Sequence, residues 1–228
     1  MANAEQVALL RQGVNDWNNW RIDNLAVTPD LVAADLSGIS LQFANLSSVN
    51  LSGANLEGTD LRNANLRGAC LKLANLRLAD LIEANLHSTD LQEACLEGAD
   101  LYKTTITEAN LQGANLCKAI VRRANLSKAN LKATEARLAD FLQANLMRTN
   151  FYMANLYHAN FESSNLIEAC LEWSNLLEAS LKKANLCRAS LYKANLCKAN
   201  LQDALFKHTT LTDGTVVDDA ALSANISH

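Results

Sequence analysis

From Leu31 to Leu211 an apolar residue occupies every fifth position, with no insertion or deletion in the register. Of the 37 positions so defined, 30 are Leu, and the rest are Ile106, Val121, Ala136, Phe141, Phe151, Phe161 and Phe206. An α-helix advances about 100° per residue, so five residues leave a net ~140° and would smear the leucines around the cylinder. A flat β-strand alternates its faces, so an odd period sends successive leucines to opposite sides. A backbone that bends by a quarter turn at each step buries them all, because every Leu then points at a common axis. Four such bends close a square coil of about 20 residues, and consecutive coils can hydrogen-bond at the usual ~4.8 Å strand spacing.

The other positions agree with this geometry. With the central residue called i, Ala dominates at i−2, where Thr, Ser, Ile or Val stand at a minority of places. A small residue suits an inward position near a corner. Asn or Asp fills 26 of the 37 places at i−1, where a short polar side chain can bond nearby backbone amides and hold a tight turn. Positions i+1 and i+2 are left outside, and they carry most of the Lys, Arg, Glu and Gln.

Units such as "ANLEG", "TDLRN", "ANLRG" and "ADLIE" resemble the A(D/N)LXX motif of the pentapeptide-repeat family. The match covers roughly residues 30–213. The resemblance implies an all-β solenoid, a right-handed quadrilateral β-helix, and the length gives about nine coils and a rod roughly 45 Å long at ~4.8 Å per coil. "WNNWR" at 17–21 is similar to the N-terminal segment of many cyanobacterial members. The family's repeat defines a fold and brings no residue-level functional motif with it.

A solenoid needs caps over its terminal apolar coils. Asn3 with Gln6 resembles an N-capping pair, and Val7, Leu10, Val14 and Trp17 follow at helical spacing. One amphipathic helix over 4–20 is therefore expected, within a capping segment 1–29. The solenoid then occupies 30–213. Residues 214–228 form the C-terminal cap, which leaves the repeat at Asp213-Gly214 and ends in a short helix from about Asp218.

Several function classes are excluded. With 20 basic and 24 acidic residues the net charge is −4, so no bulk charge recruits nucleic acid or lipid. The N-terminus lacks a basic stretch followed by an apolar core, and no apolar run approaches the ~20 residues of a membrane span. The expected compartment is the cytoplasm, and the expected state is a monomer. Asn-x-Ser/Thr sequons at Asn45, Asn50, Asn125 and Asn225 arise from the repeat itself. Side chains stack only when they are one coil apart in one column, and no two of the six cysteines meet that condition. All six are expected to be free thiols in a reducing compartment. His87, His158 and His208 fall on separate faces or distant coils, which removes a zinc site. GxxxxGK[ST] and GxGxxG are absent. A rod without loops offers no concave pocket. No catalytic, cofactor-binding or metal residues are assigned, and the chain is read as a non-enzyme without a cofactor.

Two binding roles remain. Some members of the family are fluoroquinolone-resistance proteins whose acidic rod resembles duplex DNA and engages DNA gyrase, so mimicry of DNA against a type II topoisomerase is the alternative reading. Duplex DNA of ~45 Å bears about 26 charges, whereas the outward residues here sum to between about −2 and +3 on each face. The fourth face is mildly basic through Arg67, Lys128, Arg148, Arg188 and Lys207. The favoured reading is a structural or protein-interaction rod with an unidentified protein partner. Stacking one coil apart sets Met153 over Trp173 on the first face, flanked by Tyr152 and Tyr192, and these four residues form the candidate interaction patch. Tyr157 and Tyr102 stand alone on the second and third faces. In "ATEAR", 133–137, Ala136 takes a central position, and Phe141 at the next one either fills the space or leaves a local bend.

Overall fold

A computed structural model describes residues 2–217. Each five-residue unit is a single tight turn. The N–H at i+3 donates to the carbonyl of i, as from Ala34 to Leu31 and from Ala184 to Leu181, both at 3.0 Å. The residue at i+2 has positive φ, 60° at Leu73 and 59° at Trp173, the sign a type II turn requires of its third residue. An L-residue pays about 1–2 kcal/mol for that conformation. Bonds between coils offset the cost. The N–H of Leu31 donates to Asn50 at 2.7 Å, that of Ala33 to Ser52 at 2.9 Å, and that of Asn50 to Pro29 at 3.0 Å. Parallel bridges between residues 20 apart continue from Asp30–Asn50 to Ser190–Thr210. The chain thus makes four turns before it returns beside itself, which gives the square section. Because the turns consume most of each side, a side holds one bridging residue in place of a long strand.

The interior follows the period. Central Leu residues from Leu31 to Leu191 are sealed from solvent, and Ala at i−2 is buried beside them. Where Thr replaces that Ala the hydroxyl must find a partner: Thr59 Oγ1 donates to the Leu36 carbonyl at 2.7 Å and Thr89 Oγ1 to Leu66 at 3.0 Å. The Asn and Asp at i−1 do two things. Their Oδ1 accepts the N–H at i+1 of the same turn, as Asp60 does from Arg62 at 3.1 Å. Where the residue is Asn, its Nδ2 also donates one coil back, as from Asn75 to Asn55 at 3.1 Å and from Asn145 to Asn125 at 3.0 Å. The ladder passes "ATEAR" without a bend: Leu116 N–H reaches the Glu135 carbonyl at 2.6 Å, and Ala136 N–H reaches Asn155 at 2.8 Å.

The N-terminal segment forms two helices, α1 (Ala4–Gln12) and α2 (Val14–Asp23), where one helix over 4–20 was expected. Gly13 separates them at φ 153° and ψ 156°, a region essentially closed to other residues. Asn3 Oδ1 accepts the N–H groups of Glu5 and Gln6 at 3.0 and 3.2 Å. Gln6 does not reach back to Asn3. Its Oε1 accepts the N–H of Asp30 at 2.9 Å, because the first coil presents an unpaired edge there. Other polar side chains of the two helices satisfy the same edge. Trp17 Nε1 donates to the Asn45 carbonyl at 2.9 Å, Arg21 to Ser47 at 2.9 Å and Arg11 to Asp35 at 2.7 Å, while Asn18 accepts from Asn45 N–H at 2.8 Å. Trp17 is buried in the process.

At the other end the chain turns at Asp213-Gly214, and β2 (Val216–Val217) pairs antiparallel with β1 (Thr209–Thr210). The helix expected from about Asp218 lies outside the described residues.

Candidate interaction surface

Three of the four faces are laced with ion pairs between adjacent coils or within a turn. The second carries Glu57–Arg77, Glu135–Arg137 and Glu178 between His158 and Lys198. On the third, Arg62 meets Asp60 and Asp80, Lys103 meets Glu83, and Arg122 meets Asp140. The fourth holds Lys128–Glu108 and Glu168 between Arg148 and Arg188. These two guanidinium groups hold the Glu168 carboxyl below the usual carboxylate range, Arg148 having the larger effect. Three of the five basic residues read on the fourth face are therefore matched by acids. The pairs are exposed and individually weak, but they cancel the surface field locally. Among the described residues no ion pair lies on the first face, the side flanking Leu31, Leu51 and their successors to Leu191.

That face carries the four residues singled out from the sequence. Met153 is 57% exposed and Trp173 54%. Both sit at i+2 with positive φ, so the turn itself aims them outward. They stand on adjacent coils, with Met153 N–H donating to the Glu172 carbonyl and Trp173 N–H to Tyr192, each at 3.0 Å. The Trp173 and Tyr192 rings meet edge to face, centroids 6.5 Å apart. Tyr192 also supports the C-terminal turn, since a Cβ at Gly214 would lie 3.3 Å from its ring. Tyr152 is half-buried, and its ring lies beneath Lys132. Beside the patch, burial raises the Cys170 thiol above its ordinary range, outweighing the backbone N–H of Glu172, which lowers it, so the thiol stays protonated at neutral pH.

Other apolar residues also face outward, Leu73 among the outward positions of the sequence and the rest not assigned from it. Phe43, Leu73, Leu78 and Leu138 are exposed at i+2, and Ile120 and Leu205 stand at i−1 in place of Asn. Their positions in the period were the available signal. Tyr157 is not alone: its ring meets His158 at 4.3 Å and lines a cavity of about 260 Å³ with Cys117 and Arg137. Tyr102 lies under Lys103. A shallow groove of about 930 Å³ opens between α1 and the first coil, walled by Val7, Ala8, Val32 and Ala33 with Arg11 at its rim. All six cysteines are free. Among the described residues no cluster of His, Cys, Asp and Glu could hold a metal ion, and no helix is long and apolar enough to cross a membrane.

The model of pentapeptide repeats matches in eight copies, from residues 30–68 to 174–213. Among solved structures, the chain is similar to HetL, a pentapeptide repeat protein involved in heterocyst differentiation regulation from the cyanobacterium Nostoc sp. strain PCC 7120. The two are 34% identical over 82% of this chain and 91% of that one, with a TM-score of 0.49. It is also similar to the pentapeptide repeat protein Rfr23 from the cyanobacterium Cyanothece 51142, 30% identical over 48% of this chain and 64% of that one, with a TM-score of 0.29. QnrB1, a plasmid-mediated fluoroquinolone resistance protein, is 15% identical over 81% of this chain and 89% of that one, with a TM-score of 0.46. No curated protein sequence matches.

Proposed function

The chain belongs to the pentapeptide repeat family, and from that premise we propose that it is a non-enzymatic rod which binds a protein partner through its first face. Membership implies the right-handed quadrilateral β-helix, and 37 central positions give about nine coils with a helical cap at the N-terminus. One observation carries the reading. The first face alone lacks ion pairs among the described residues, and it exposes Met153 and Trp173 on adjacent coils. Trp and Tyr are enriched where binding energy concentrates, and an exposed apolar cluster marks an interaction site more often than ordinary surface. A monomeric rod in a reducing cytoplasm fits six free thiols.

The alternative, mimicry of DNA against a type II topoisomerase, meets an obstacle in the electrostatics. A DNA mimic needs one continuous negative face, and here the acids of three faces are largely matched by neighbouring cations. The reading is tested by affinity capture with the intact protein and with Trp173→Ala, each first shown to keep the same circular dichroism. A partner retained by the intact protein and lost with Trp173→Ala supports the first face. A partner held equally by both overturns it, and protection of gyrase in a supercoiling assay at stoichiometric protein would establish the alternative.

A further inference from the structure

The apolar centre of the first face has a lysine at either end. Lys132 belongs to the coil before Met153 and Lys193 to the coil after Trp173, three coils or ~14 Å apart at strand spacing. On other faces Lys103, Lys128 and Lys198 each pair with a carboxylate one coil away. Lys132 and Lys193 form no ion pair among the described residues; Asp213, one coil beyond Lys193, accepts hydrogen bonds from Thr215 N–H and Oγ1 at 2.9 and 2.7 Å. Aromatic rings position them instead: Lys132 Nζ lies 5.6 Å from the Tyr152 ring centroid and Lys193 Nζ 5.4 Å from that of Tyr192. A ring face orients an ammonium group without neutralising it, so both charges stay available to a ligand. The one carboxylate within the patch, Glu172, accepts a hydrogen bond from Ser190 Oγ at 2.8 Å.

Building on the first face as the docking surface, we propose that its occupant is a protein segment with an apolar centre and a carboxylate at each end. The apolar side chains would seat on Met153 and Trp173, and the two acids would meet Lys132 and Lys193. A spacing of ~14 Å corresponds to about nine or ten residues if the segment is helical. The same lysines disfavour a second copy of this chain. An antiparallel twofold pair centred between Met153 and Trp173 would bring Lys132 of one copy beside Lys193 of the other, and like charges so placed repel.

The probe is a yeast-displayed library of random 20-residue peptides. It is selected on the intact protein and, separately, on the Lys132→Glu/Lys193→Glu variant, with Trp173→Ala as control and matching circular dichroism for all three. The intact protein should enrich peptides with acids flanking an apolar core, and the charge-reversed variant should enrich basic flanks. Peptides selected on the intact protein should bind the reversed variant on the order of tenfold more weakly, from two exposed ion pairs lost. Binders that show no acidic flanks, or that bind the reversed variant equally, overturn the inference, as does an absence of binders. If such binders still need Trp173 the first face stands as the docking surface. Binders indifferent to Trp173→Ala overturn both.

Discussion

Phe141 and Phe161 stack one coil apart, with ring centroids 4.9 Å apart and planes 5° from parallel. Phe151 meets both edge to face, at 5.9 and 5.8 Å. Ala136 precedes Phe141 by one corner of the same coil, so a small and a large residue share that level. Both are fully enclosed. Ala136→Leu alone should overpack the level and cost about 1–3 kcal/mol. Phe141→Leu alone should lose the ring pairs and cost about 1 kcal/mol or more. The double variant restores two leucines and should be less destabilised than the sum, by about 1 kcal/mol. Urea unfolding midpoints measure this, and strict additivity would show that the two sites are independent.

Trp17 and Arg21 close the open edge of the first coil. Arg21→Met keeps the stem in place but leaves the Ser47 and Val27 carbonyls without the donors they now have. Trp17→Phe does the same to Asn45. Each should cost about 1–3 kcal/mol. Hydrogen exchange should quicken in α1, α2 and the first coil before it does so at mid-rod. Uniform quickening along the chain would contradict a local capping role.

Glu168 sets an acid limb to the stability. Its folded value is depressed, chiefly by Arg148, so the unfolded chain takes up the proton more readily. The contribution is then complete above the ordinary Glu value of about 4.3 and is lost as pH falls through the lower folded value. Arg148→Gln should flatten the acid limb by lowering the plateau above about pH 4.5, a small loss because exposed pairs are worth little, and should leave the most acidic end of the curve unchanged. Denaturation at a series of pH values checks this, and an unchanged acid slope would count against it.

The thiols should react in order of exposure. Cys197 is exposed and Cys117 only 7% so. A thiol reagent should label Cys197 first and Cys117 last in the folded protein, and all six after unfolding. Mass spectrometry of the labelled peptides would reveal any departure, and fewer than six labels on the unfolded chain would mean that a disulfide exists.

The sequence period told a great deal about this molecule, for a physical reason. Each residue's surroundings are set by its own place in the repeat and by residues one coil away, so the inward Leu31, the turn-holding Asp60 and the outward Trp173 could all be assigned by counting. Contacts outside the period could not. The break at Gly13 depends on a backbone angle. Gln6, Trp17 and Arg21 meet partners 24 to 28 residues away whose need arises only because the first coil has nothing before it. The lysines beside Met153 and Trp173 are visible as charges, but the period would pair Lys193 with Asp213 one coil on, and the C-terminal turn takes that carboxylate for Thr215.

The unbroken register also governs how such a chain can change length. Adding or removing one residue would push every later leucine off its corner. A change of five would keep the corners but rotate all later columns by a quarter turn relative to α1 and α2, carrying Trp173 to another side of the rod. A change of twenty would insert or delete one storey and leave every column on its original side. Lengthening in whole storeys therefore moves a docking patch along the axis like a bead on a ruled square bar, altering its height above the cap while keeping its compass bearing.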